Sequence, residues 1–118
     1  MSADRTHIDY LADIYDAIRK VKQFIQGMTF EEFTNDDKTV FAVTRGLEII
    51  GEATKRIPSS VRSLHPEVPW REMAGMRDKL SHDYIGINLI VLWKTATEDL
   101  PNVEPTISRL IAENEHDR

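Results

Sequence analysis

Three residues in this chain are of types that do phosphate chemistry, and they lie close together. Arg77, His82 and Tyr84 are spaced R-x-x-x-x-H-x-Y within Arg77-Asp78-Lys79-Leu80-Ser81-His82-Asp83-Tyr84. A guanidinium is charged at any physiological pH and matches the shape of a phosphate. An imidazole that titrates near neutrality takes or gives a proton in a transition state. Together they form a minimal kit for cutting an RNA phosphodiester without a metal. Arg and His fall five apart in many helices, so the spacing alone fits a cleaving site, a phosphate-binding module or a structural histidine. The rest of the chain has to decide.

Other chemistries lack their residues. The chain contains no cysteine, which removes disulfides, zinc–thiolate sites and thiol nucleophiles. It has no H-x-x-x-H or HExxH pair, no glycine-rich phosphate loop, no G-x-S-x-G and no dinucleotide fingerprint. No cofactor is expected. His7 precedes the first helix and His116 lies in a charged tail, so both are expected to face solvent. His65, before Pro66, reads as a turn residue.

Helix geometry constrains how the three residues work together. Arg77 and Tyr84 are seven apart and return to nearly the same face, about 20° out of phase. His82 lies about 140° round from Arg77 and ~7.5 Å along a regular helix. Within one unbroken helix the two heads diverge. Either the helix loosens near Ser81, or both groups reach along a cleft, or two copies of the motif meet across a symmetric dimer.

The net charge of −5 argues against a broadly basic surface for duplex nucleic acid. The cations nevertheless cluster: Lys20 with Lys22, Lys55 with Arg56, then Arg71, Arg77 and Lys79. The acids gather in residues 31–37 and 113–117. At 118 residues one domain, 1–118, is expected. No run of about 18 apolar residues is available to span a bilayer, and residues 85–93 are interrupted by Gly86 and Asn88. A soluble cytoplasmic protein is the expectation.

Helical periodicity dominates. Leu11, Ile14, Ile18, Val21 and Ile25 predict an amphipathic helix ending near Gly27. Thr29-Phe30-Glu31-Glu32 reads as a capping box opening a short helix. Asn35 or Asp36 should cap a second long helix carrying Val40, Val43, Leu47, Ile50 and Ile57 until Pro58 stops it. Gly46 and Gly51 inside it point to a close helix–helix approach. A connector from 58 to 69 holds one helical turn, and Pro69 opens a third helix with Trp70, Met73, Met76 and Leu80 inward. That helix carries the motif and should break at Gly86. Asn88 caps a fourth, with Leu89, Leu92, Trp93, Ala96 and Leu100 inward, stopped by Pro101. A last helix from 102 to 115 buries Val103, Ile107 and Leu110 or Ile111. The expected fold is all-α, an antiparallel up-and-down bundle of four to five helices that dimerises.

These residues carry a family resemblance. The chain resembles the HepT-like ribonuclease toxins of the HEPN (higher eukaryotes and prokaryotes nucleotide-binding) superfamily from Tyr10-Leu11-Ala12-Asp13-Ile14 to Asp99-Leu100-Pro101. The landmarks are Leu47-Glu48-Ile49-Ile50-Gly51-Glu52-Ala53, then His65-Pro66-Glu67-Val68-Pro69-Trp70, then Gly75-Met76-Arg77 leading into His82-x-Tyr84. The resemblance implies a homodimer with both motifs lining one cleft, and metal-independent endoribonuclease activity with Arg77 and His82 catalytic. It implies control by a cognate minimal nucleotidyltransferase antitoxin that adenylylates Tyr84. The residue after the arginine is often Asn or another polar residue in that family; here it is Asp78, which either weakens RNA binding or orients Arg77 or His82. The competing reading is a non-catalytic nucleotide- or substrate-binding subunit of a nucleotidyltransferase complex.

Overall fold

The computed structural model describes residues 5–76, 78 and 88–115. All regular structure among them is helical. Three long helical runs carry the core, and three short helices join them.

Helix α1 (His7–Ile25) starts where the backbone N–H of Thr6 donates to Asp9 Oδ2 at 2.9 Å. Its buried face is Ile8, Leu11, Ile14, Ile18, Val21 and Ile25, the expected seam. It ends at a left-handed Gly27 with φ of 78°, a conformation that favours glycine. His7 departs from the expectation. It is the first residue of α1, partly buried, with Nε2 3.1 Å from Asn114 Oδ1.

Helix α2 (Phe30–Thr34) opens on the expected capping box of Thr29 and Glu32. It buries Phe33 against Trp93, with ring centroids 5.1 Å apart. Helix α3 (Asp37–Lys55) is capped by Asp36, which accepts the Thr39 N–H. The helix ends before Ile57, yet Ile57 is still in the core. At Gly46 a side chain would put its Cβ 2.6 Å from Val21 Cγ2. The close α1–α3 approach is therefore what this glycine permits.

Helix α4 (Ser59–Leu64) is the expected single turn in the connector. Helix α5 (Trp70–Ala74) is shorter than the expected third helix, and Pro69 caps it from outside its first turn. The chain turns at Gly75, whose N–H donates to Arg71 at 3.0 Å, and Met76 and Asp78 are again helical. Trp70, Met73 and Met76 are buried as expected.

The largest correction is at Pro101. Helix α6 (Leu89–Lys94), capped by Asn88 Oδ1 on the N–H groups of Ile90 and Val91, does not stop there. It passes through a π-helical turn (Thr95–Asp99) directly into α7 (Leu100–Glu115). A proline has no N–H to donate, and its ring collides with the carbonyl four residues back. The wide turn relieves both problems: Leu100 N–H reaches back five residues to Thr95. Hydroxyls add to the ladder, Thr95 Oγ1 donating to Val91 and Thr97 Oγ1 to Trp93. Leu92, Ala96, Leu100, Val103, Ile107 and Leu110 then form one buried seam. In place of the expected four to five helices, the described residues show six runs besides the helical Met76 and Asp78, the last one continuous across Pro101 and Pro105.

Helix α1 lies between α3 and α7. Its contacts with α7 run antiparallel, since Lys22 meets Glu104 and His7 meets Asn114. No described helix is long and apolar enough to cross a membrane.

Candidate functional site

Arg77, His82 and Tyr84, the residues singled out for catalysis and modification, lie outside the described residues, as does Lys79. Asp78 is described, and so are the elements that lead into and out of the motif. Trp70, Met73 and Met76 bury the entering side, and Leu92 does the same beyond the Asn88 cap. The described chain before and after the motif is thus anchored in the core.

Trp70 fixes the entry most firmly. Its indole Nε1 donates to the carbonyls of Arg62 (3.1 Å) and His65 (2.9 Å), which ties α5 to the end of α4. A buried indole N–H needs such partners. His65 therefore serves through its backbone, at the C-cap of α4. The landmark stretch from His65 to Trp70 is in this way a folded clasp, reinforced by Glu67, which accepts from Arg109 Nη2 at 2.7 Å. That charged hydrogen bond holds the Glu67 carboxyl below the ordinary carboxylate range.

Asp78 is exposed, with its Oδ2 3.8 Å from Lys55 Nζ near the end of α3. This is an ion pair and too long for a hydrogen bond. It brings the end of α3 beside Asp78 and offsets the one acid next to Arg77 in the sequence. Arg56, exposed, follows Lys55 in sequence.

Two hollows flank α5 and differ in sign. A cavity of about 410 Å³ has Leu47, Met73, Met76 and Val103 among its apolar walls and carries the acids Glu67, Glu72 and Asp99. A shallower groove of about 510 Å³ lies on the α4 side and carries Arg62 and Arg71. The sequence reading noted Arg71 and missed Arg62, which lies in the connector with no motif around it. Among the described residues, no three His, Cys, Asp or Glu side chains converge as a metal site.

Comparison with known proteins adds an independent observation. The model of the HepT-like family, described as ribonuclease HepT-like, matches residues 14–110. A Thermococcus cleftensis protein named a probable ribonuclease HepT is 54% identical over 106 residues, covering 90% of this chain and 96% of that protein. A Methanocaldococcus jannaschii protein with a provisional RNase name is 39% identical over 106 residues, covering 90% of this chain and 88% of its own. A third, from Caldanaerobacter subterraneus subsp. tengcongensis and also provisionally named an RNase, is 38% identical over 107 residues, with 91% and 96% covered. No solved structure matches significantly.

Proposed function

Because this chain belongs to the HepT-like ribonuclease family and is an endoribonuclease, we propose that it is the toxin of a type II toxin–antitoxin pair and cuts RNA without a metal. The observation that carries the reading is the extent of the family match, residues 14–110, which contains the whole Arg77–Tyr84 motif.

The substrate supplies the nucleophile. The 2′-hydroxyl attacks the adjacent phosphorus, a 2′-O–P bond forms, and the P–O5′ bond breaks. His82 takes the proton of the 2′-hydroxyl or gives one to the departing 5′-oxygen. Arg77 holds the phosphate and stabilises charge growing on its non-bridging oxygens. The products are a 2′,3′-cyclic phosphate and a 5′-hydroxyl. Asp78 sits against Lys55 rather than alone beside this phosphate, which limits its repulsion of RNA and leaves it as a supporting residue of the site.

A homodimer with both motifs on one cleft answers the angular mismatch between Arg77 and His82 along a helix. Control falls to Tyr84, adenylylated by a cognate minimal nucleotidyltransferase antitoxin, so that the added phosphodiester occupies Arg77 in place of RNA. The setting is the cytoplasm.

The test is RNA cleavage in excess EDTA by the wild type beside His82→Ala and Arg77→Ala. Cleavage should persist in the chelator, leave a cyclic phosphate, and be lost in both variants while their circular dichroism is unchanged. A wild type that binds RNA and leaves it intact would return the chain to the binding-subunit reading.

A further inference from the structure

The groove between α4 and α5 is lined by Ser59, Arg62, Ser63, Trp70, Arg71 and Ala74. That lining holds two guanidiniums and two hydroxyls and no carboxylate. Elsewhere six described cations sit against an acid: Arg5 by Asp13, Lys20 by Asp16, Lys22 by Glu104, Arg45 by Glu48, Lys55 by Asp78, and Arg109 by Glu67 and Glu113. Arg62 and Arg71 have no acidic partner among the described residues. On a chain of net charge −5, two unpaired guanidiniums in one groove reverse the local sign.

The groove is also held in shape. Trp70 donates to the Arg62 carbonyl, and the Ser63 hydroxyl donates to Ser59 at 2.8 Å. Arg62 Nε is buried without a hydrogen-bond partner, a condition folded proteins seldom leave unexplained. Trp70 lines the groove but is only 8% exposed, which leaves little indole surface for a base to stack on. What it offers is charge for a backbone. Its position fits that use: Arg71 stands on α5, seven residues before Asp78, the sequence neighbour of Arg77.

We propose that the α4–α5 groove is an RNA-backbone subsite in which Arg62 and Arg71 hold phosphates flanking the one that is cut. The proposal rests on the endoribonuclease reading for its ligand. Recognition here is by charge and is independent of base sequence. The acidic cavity on the other side of α5 repels the same backbone, so the RNA path runs along the α4 side.

The experiment compares the wild type with Arg71→Ala, Arg62→Ala and the double variant on a 20-nucleotide RNA and on a dinucleotide too short to reach the groove. On the long RNA, the double variant should raise KM at least about tenfold at 50 mM salt, with kcat within about twofold. The dependence of log KM on log salt should lose about 0.7 for each phosphate contact removed. Dinucleotide cleavage should be unchanged. Arg71→Lys should recover much of the loss, since charge is the requirement. Because Arg62 is partly packed inside, thermal melting accompanies every variant, and Arg71→Ala, at an exposed position, carries the test if Arg62→Ala unfolds. Anisotropy of labelled RNA with the His82→Ala protein reads binding apart from cleavage. Weakened binding there supports the groove even if the wild type cuts no RNA, an outcome that would sink only the endoribonuclease reading. Unchanged RNA affinity and salt slope in folded Arg71→Ala and in the double variant would overturn the proposal. So would equal losses on the long RNA and the dinucleotide.

Discussion

Replacing Gly46 by alanine sets two effects of known sign against each other. Alanine is the better helix former, by about 1 kcal/mol in a helix interior. The added methyl, however, would sit 2.6 Å from Val21 Cγ2, well inside contact distance. Val21 has no easy way out: it is wholly buried, and a β-branched side chain in a helix has essentially one rotamer. Overpacking of this kind costs about 1–3 kcal/mol. The balance is a net loss of about 1 kcal/mol, with the clash exceeding the propensity gain.

The cause can be isolated in the Val21→Ala background. That change alone should cost about 2 kcal/mol, two methyls at ~0.8 kcal/mol each plus the void they leave. With the obstructing methyl gone, Gly46→Ala should now stabilise by about 1 kcal/mol, so the coupling between the two sites is about 2 kcal/mol. Urea unfolding reads this directly: at a slope of about 2 kcal/mol/M, each 1 kcal/mol moves the midpoint by roughly 0.5 M. Two protein concentrations should be used, because dimerisation would add to apparent stability. A rise in midpoint for Gly46→Ala in the wild-type background would refute the close-approach account of this glycine.

Three further outcomes are expected. The Glu67 carboxyl is held low by its hydrogen bond with Arg109, so its contribution to stability is present above the ordinary carboxylate range and lost as pH falls through its depressed value; Glu67→Gln should flatten that acid-side loss in melting curves from pH 7 to 3, and an unchanged pH profile would dismiss the pair as a contributor. Asp78→Asn should lower KM for RNA roughly two- to fivefold at low salt and lose the effect at high salt, with kcat unchanged; a tenfold fall in kcat instead would place Asp78 in the chemistry. Tyr84→Phe should keep RNA cleavage yet escape silencing when a cognate nucleotidyltransferase, ATP and magnesium are supplied, and a mass gain equal to the wild type's would move the acceptor elsewhere.

What was legible in the sequence was the part governed by neighbours three and four residues away. The seam of α1, the Thr29 capping box, the Asp36 and Asn88 caps and the turn at Gly27 follow from local rules, and they stand where those rules put them. Charge was less legible. Lys20 and Lys22 read as part of a basic cluster, yet the first is paired with Asp16 one turn back and the second with Glu104 on α7. Only the first pairing has a local spacing that announces it. Arg62 and Arg71 stand out only once the tertiary structure sets both, without an acidic partner, in one groove.

Pro101 marks the limit of local rules most clearly. Taken alone it is a stop, because a proline inside a regular α-helix loses a hydrogen bond and meets the preceding turn. The chain continues because the residues before it unwind to a five-residue turn, with threonine hydroxyls bonding the carbonyls at 91 and 93. What favours continuation is burial on both sides of the turn: Leu92 and Ala96 before it, Leu100, Val103 and Ile107 after it, all in one seam against the core. Ending the helix at Pro101 would break that seam between α1 and the rest of the molecule. The cost of one irregular turn is local, whereas the burial it preserves extends along all of α7. π-turns often mark functional sites, and Thr95 and Asp99 of this one line the acidic cavity beside α5. The same distortion that keeps the core continuous therefore shapes the wall facing the entry to the motif.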